Sequence, residues 1–257
     1  MTSLRVGVQI QPQHASFDAM RRAWQEADAL GADTIFTWDH FFPLSGDADG
    51  THFEGITSLA ALAQVTEHAQ VGALVICNSY RNPELLADAH RTIDHISGGR
   101  AILGIGAGWF KRDYDEYGYE FGEAPDRLRA LRHAMPRIKD RLGKLNPPPA
   151  GKLPILIGGS GPKVTLKLVA QYADMWHSFG DADDYQRKNA ILLEHCANEG
   201  RDPAEIERTW GVDGVEKAEA LAEVGVQHVI VGIGGEGDGY DLSALRELVK
   251  WRDARNA

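Results

Sequence analysis

The sequence predicts a single α/β domain over residues 1–257, closed into an eight-stranded (β/α)8, or TIM, barrel. Three observations predict it. Short runs rich in Val, Ile and Leu alternate with longer stretches of helical periodicity along the whole chain, and the alternation makes eight β/α units. The length of 257 residues is close to the roughly 250 that such a barrel uses. The rival open, doubly wound sheet marks its first turn with a glycine fingerprint, whereas the first strand here runs into "QPQHAS".

In chain order, "RVGVQI" (5–10) reads as the first strand and 16–30 as its helix. Strand "DTIFT" (33–37) precedes a helix over 56–68, and "QVGALVI" (70–76) precedes one over 83–96. "AILGI" (101–105) is followed by a helix over 125–141. "PILI" (154–157) runs into Gly161-Pro162, where a proline suits a first helical turn that needs no amide, and the helix spans 161–172. Strands at 174–177, 206–210 and 227–233 pair with helices at 184–199, 214–224 and 241–254. The prolines of "NPPPAGKLP" read as a semi-rigid connector on the bottom of the barrel rather than a domain boundary, because "PILIGG" resumes the alternation at once. The acidic and glycine-rich stretches 45–55 and 234–241 read as mobile loops.

A hydrophobic content of 43% supports a substantial core, and a net charge of -10 without a basic stripe argues against a nucleic-acid partner. There is no charged and apolar leader, and no apolar run reaches the roughly 18 residues that would span a bilayer. Cys77 and Cys196 have neither disulfide-framework nor metal-ligand spacing. A soluble, cytoplasmic protein without disulfides is expected.

Chemistry in such a barrel collects where strands end at their carboxyl side. Strand two exits into "TWDHFFP", delivering Asp39 and His40 among the rings of Trp38, Phe41 and Phe42, which would exclude water around a flat ligand. The bland alternative is that the two cap the loop or pair with each other. In "LIGGSGPK", Gly158, Gly159, Ser160 and Gly161 either cradle a phosphate with bare amides or form an ordinary βα turn. "GIGAGW" brings Gly106, Gly108 and Trp109 to the end of strand four, where the glycines let a planar ring lie against the backbone or simply let the chain turn. Asn78 can hydrogen-bond a heterocycle edge, and Cys77, lacking a base, reads as packing rather than as a nucleophile. His177 ends strand six and points either to the rim or into a helix–sheet layer. Glu116 reads as a solvated loop residue. His14, His52, Asp39 and His40 lack ligand spacing, so no metal is expected.

Four stretches in order, "WDHFFP", "CNSYRNPELLA", "HISGGRAILGIGAGW" and "LPILIGGSGPKVTLKLVAQYADMW", resemble the luciferase-like monooxygenase superfamily, and within it the oxidoreductases that use the deazaflavin coenzyme F420. The resemblance runs from Val6 to about residue 232. It implies a TIM barrel whose mouth takes the cofactor ring, with Cys77, Asn78, Gly106 and Gly108 beside the ring and the phosphate on Gly158 to Gly161. It implies His40 as proton donor or electrostatic partner in hydride transfer, and Asp39 as a ring contact or as the residue that orients its neighbour. Trp38, Trp109, Trp176 and His177 would line the side of a small, hydrophobic substrate. The same resemblance implies a homodimer and a non-proline cis peptide somewhere from Leu74 to Cys77. FMN is the alternative cofactor, as in a luciferase-like monooxygenase, and a flavin- or deazaflavin-binding protein without turnover is the non-enzymatic alternative. Sugar-phosphate dehydrogenases of the family carry a glutamate where this chain has Trp109, which argues against a glucose-phosphate substrate. The link from strand seven to its helix, within "RTWGVDGVEKAEAL", is short, so a long insertion that shapes many family pockets is reduced or absent.

Overall fold

The computed structural model describes residues 3–237 and 239–257. β-Branched and aliphatic runs form the staves, β1 (Arg5–Ile10), β2 (Thr34–Thr37), β3 (Gln70–Ala73), β4 (Ile76–Cys77), β5 (Ala101–Gly106), β6 (Ile155–Gly158), β7 (Met175–Ser178), β8 (Glu207–Val212) and β9 (His228–Ile233). Amphipathic segments between them form α1 (Phe17–Ala29), α2 (Gly55–Val65), α3 (Pro83–Ile96), α4 (Lys111–Tyr117), α5 (Ala124–Lys144), α6 (Thr165–Tyr172), α7 (Ala182–Glu199), α8 (Val215–Glu223) and α9 (Ser243–Asn256). All staves run parallel in the order β3-β2-β1-β9-β8-β7-β6-β5-β4, and β3 also pairs with β5, so the sheet closes. β3 and β4 are one stave broken at Leu74–Val75, whose peptide bond is cis. The predicted eightfold barrel is therefore the observed one.

Strand side chains alternate between two cores. The outward-facing set, with Val6, Val8, Val71, Leu103, Ile157 and Val229 among it, packs under the helices against Trp24, Leu59, Leu86, Met135, Leu166, Leu221 and Leu248. The inward-facing set, Phe36, Leu74, Ile102, Leu156, Met175 and Ile230, plugs the middle of the barrel. Each such side chain contributes roughly 1.5–3 kcal/mol when removed from water, so the plug forms a stable floor.

Four details depart from the sequence expectation. The strand expected over 70–76 is split by the cis bond. The helix expected from residue 161 begins at Thr165, after a turn at Pro162 to Val164. α4 falls in a stretch expected to be loop; with seven residues and a left-handed Gly118 at its end it is too short to show a period. The stretches expected as mobile loops make defined contacts. In 45–55, Ser45 bonds to Gln13 and His14, and Arg112 holds Ala48 and Asp49. In 234–241, β10 (Gly235–Glu236) and β11 (Gly239–Tyr240) form a ribbon, and the Tyr240 hydroxyl donates to the Gln11 carbonyl at 2.8 Å. Asp238 of that stretch lies outside the described residues.

The proline connector joins α5 to β6 at the bottom, as expected. Arg91 donates to the Pro147 carbonyl at 3.1 Å and His95 to that of Pro148 at 2.8 Å, so it lies against α3. The β8 to α8 link is just Asp213 and Gly214, which matches the expected short connection. Both cysteines are buried free thiols. Among the described residues no helix is long and apolar enough to cross a membrane.

Candidate active site at the barrel mouth

At the carboxyl ends of the staves a cavity of about 580 Å³ opens above the inner plug. Four strands turn a glycine toward it, Gly106, Gly158, Gly211 and Gly232, and this absence of side chains makes the space. Val75, just past the cis bond, stands in the mouth. A Cβ on Gly106 would come 2.7 Å from Val75 Cγ2, and one on Gly158 would come 2.9 Å from Val75 Cγ1. Gln9 donates to the Leu74 carbonyl at 2.6 Å and braces the bulge from β1. The remaining wall is largely apolar, with Trp38, Leu44, Trp109, Phe179, Val212 and Ile230. The volume and lining suit a flat ligand with a few polar contacts.

His40 is a firmly held polar group of the wall. Its Nδ1–H donates to Asp113 Oδ2 at 2.7 Å, and Asp113 is fully buried. The same carboxylate accepts the Tyr80 hydroxyl at 2.8 Å and the Phe41 amide at 3.0 Å. A carboxylate only accepts, so the proton sits on Nδ1 and Nε2 is left for the cavity. Rings of Trp38, Trp109 and Phe110 stand edge-on to the imidazole at 5.8, 5.9 and 5.6 Å. The Trp38 indole donates to His52 Nε2 at 2.9 Å, and burial above all, then the nearby His40, pushes the His52 value down to about 4, which keeps it an acceptor. Burial, then the adjacent Cys77, holds Tyr80 well above the usual phenol range, so it stays a donor to Asp113. Sequence reasoning misses Asp113 and Tyr80: α4 shows no period, and a carboxylate 73 positions from His40 gives no spacing signal.

Asp39 is among the residues lining the cavity, but its carboxylate oxygens are turned to the protein. Its carboxylate is fully buried and spent on the protein: Oδ2 accepts the Cys77 amide at 2.9 Å and Arg81 Nη1 at 2.6 Å, and Oδ1 accepts Arg81 Nη2 at 2.8 Å. Arg81 reaches on to Glu54 at 2.7 Å. The pair anchors the strand-three bulge instead of presenting an acid to a ligand. It does not pair with His40, whose partner is Asp113.

Cys77 lines the mouth with its Sγ 3.2 Å from the Tyr114 hydroxyl, and burial raises its thiol value, so it packs and does not attack. Gly108 lines the same wall at φ +82°, and a Cβ there would lie 2.1 Å from Tyr114 Oη and 2.5 Å from Cys77 Sγ. Asn78 starts the 3-10 turn Asn78–Tyr80 behind β4, nearly buried and outside the cavity lining.

On the opposite side Gly158 and Gly159 line the cavity, while Ser160 and Gly161 lie at the rim beyond it. The Gly159 amide donates to the His177 carbonyl at 2.9 Å, which takes it out of any phosphate cradle; its φ of +111° makes the sharp turn. Trp176 is a correction. Neighbouring strand residues face opposite ways, so with His177 turned into the cavity, Trp176 is driven into the helix layer. There it is fully buried, donates to the Gly159 carbonyl at 2.8 Å and packs on Tyr185 and Trp210. Phe179, not expected, takes the aromatic place on this rim, 67% exposed and edge-on to His177 at 4.8 Å.

The family model for luciferase-like monooxygenase matches residues 1–230. This chain belongs to that family. The luciferase-like chain is 27% identical over 164 residues to an F420-dependent glucose-6-phosphate dehydrogenase of Amycolatopsis mediterranei, covering 57% of this chain and 47% of that enzyme. It thus spans about half the length of that relative. Its fold is similar to a solved F420-dependent secondary alcohol dehydrogenase in complex with an F420-acetone adduct, with a TM-score of 0.82, 15% identity and coverage of 96% and 98% of the two chains. It is also similar to the FMN-bound oxygenating constituent of 3,6-diketocamphane monooxygenase from Pseudomonas putida, with a TM-score of 0.65, 15% identity and coverage of 82% and 67%.

Proposed function

We propose that the whole chain, residues 1–257, acts as an F420-dependent oxidoreductase that moves a hydride between the deazaflavin and a small hydrophobic alcohol or ketone. The observation that carries the reading is His40, clamped by a buried Asp113 and with Nε2 unpartnered among the described residues, across a glycine-walled apolar cavity from the Gly159 turn. Gly106, Gly158, Gly211 and Gly232 would leave the space for a tricyclic ring, with Val75 and Cys77 to hold it. Ser160 and Gly161 at the rim, next to the start of α6, are the remaining candidates to hold its phosphate. When bound, F420 supplies the hydride chemistry.

The chain supplies position and the proton. Trp38, Trp109 and Phe179 exclude water from the reacting atoms. His40 Nε2 takes a proton from a substrate hydroxyl, or returns it to a carbonyl oxygen, while Asp113 stabilises the imidazolium through Nδ1–H. Among the described residues the cavity lining holds no Lys or Arg, so a phosphorylated sugar finds no counter-charge. That agrees with Trp109 standing where sugar-phosphate dehydrogenases carry glutamate.

FMN is the second reading, since a solved FMN monooxygenase shares the fold. Fluorescence titration of the purified protein with F420, FMN and NADPH separates the readings. Tight F420 binding with reduction of short-chain ketones supports this proposal, FMN binding with oxygen consumption supports the second, and F420 binding without turnover of any alcohol or ketone supports a carrier. We take the working form to be a cytoplasmic homodimer, by analogy with the family, and light scattering of the purified chain tests the dimer.

A further inference from the structure

We propose that His177 is a cofactor-binding residue whose Nε2 hydrogen-bonds the imide edge of the bound ring, where C=O and N–H groups alternate. The inference deepens the F420 reading and rests on it. His177 lines the cavity yet is 2% exposed, and its Nδ1 lies 2.8 Å from Thr209 Oγ1 on the neighbouring strand. Its Nε2 is buried and has no hydrogen-bond partner among the described residues. A buried ring nitrogen without a partner is disfavoured, and of the histidines with such a nitrogen His177 is the one that lines the cavity.

The surroundings say which part of the ligand that is. His177, 2% exposed, pairs with Gly158 in the strand register, and His40 is 9% exposed; each has an exposed ring beside it, Phe179 and Trp109. In the barrel order β7 stands across from β2, which leads to His40, so the two imidazoles occupy opposite ends of one cavity. The reacting substrate belongs at the end where His40 Nε2 exchanges the proton, which leaves the polar edge of the ring for the His177 end. Burial, and then the nearby His228, pushes His177 down to about 3, so it stays neutral. A neutral imidazole paired with a hydroxyl matches either an imide N–H or an imide C=O: when Nδ1–H donates to Thr209, Nε2 accepts, and when the Thr209 hydroxyl donates to Nδ1, Nε2–H donates. Thr209 is thus a positioning residue for the contact, and Phe179, edge-on at 4.8 Å, shields it from water.

The experiment records the ¹⁵N resonances of the His177 ring in the wild-type protein during titration with F420, together with F420 affinity of His177→Leu and Thr209→Val. The expected result is a movement of the Nε2 resonance that saturates with F420 binding, and affinity lowered roughly tenfold in His177→Leu and less in Thr209→Val. If F420 binds while the Nε2 resonance stays still, the His177 assignment is overturned and the cofactor reading stands. If wild-type protein does not bind F420 at all, both fall together. The wild-type resonance keeps the proposal testable even should His177→Leu fail to fold.

Discussion

Replacing Asp39 with asparagine distinguishes a catalytic carboxylate from a structural one. In the structure the side chain has no exposed surface, and three donors converge on it at 2.6, 2.8 and 2.9 Å. The Asp39→Asn substitution would keep the shape and lose the charge, turning an amide N–H toward at least one donor. Removing one partner of a buried ion pair typically costs about 3–5 kcal/mol. Arg81 keeps Glu54 at 2.7 Å, and that carboxylate is 38% exposed, so the lower end applies, about 3 kcal/mol. For a barrel of this size each kcal/mol lowers the melting temperature by roughly 2–4 °C, which puts the loss at roughly 6–12 °C. Calorimetry on the wild type, Asp39→Asn, Arg81→Met and the double variant reads it directly, and the double variant should lose less than the two single losses together. The reasoning is refuted if Asp39→Asn melts within about 1 °C of the wild type while F420 affinity collapses, because the carboxylate would then serve the ligand.

Three further outcomes follow from the same geometry. Asp113→Asn should lower turnover on the order of 100-fold with F420 affinity nearly unchanged, read by steady-state kinetics beside fluorescence titration; equal losses in both would place Asp113 in ligand binding instead. Gly108→Ala should destabilise by about 2–5 kcal/mol in urea unfolding, since the backbone is at φ +82° and the new methyl would meet Tyr114 Oη at 2.1 Å; an unchanged midpoint would show that the Tyr114 side chain simply moves. Acid should weaken the fold early. His90 and His177 are buried with values lowered to about 4 and about 3, chiefly by burial, against 6.5 when unfolded. Because the unfolded chain takes up protons first, their contribution is complete above about pH 6.5 and is lost as the pH falls, at up to about 3 kcal/mol per unit for the two together. Urea midpoints measured between about pH 6 and pH 5, above the range where the carboxylates titrate, should fall steeply, and a flat profile would contradict the neutral burial of both rings.

The barrel itself is legible in the amino-acid order. Eight apolar runs of strand length, each followed by a helical period, leave few ways to bury both faces of a parallel sheet, and closure follows from their number and length. The exits of those runs are legible for the same reason, so His40, Gly106, Gly158, His177 and the ring of Trp109 are expected around one mouth and found there.

What a side chain does once it reaches the mouth is decided in three dimensions. "WDH" puts Asp39 and His40 side by side, yet one is locked to Arg81, 42 positions on, and the other to Asp113, 73 positions on. Trp176 and His177 are neighbours too, and the alternation of a single strand sends them to opposite cores. A linear sequence ranks residues by type and by nearness along the chain. Charge pairing, burial and an unmatched ring nitrogen depend on which distant strands the closed sheet brings together, and only the folded barrel sets those distances.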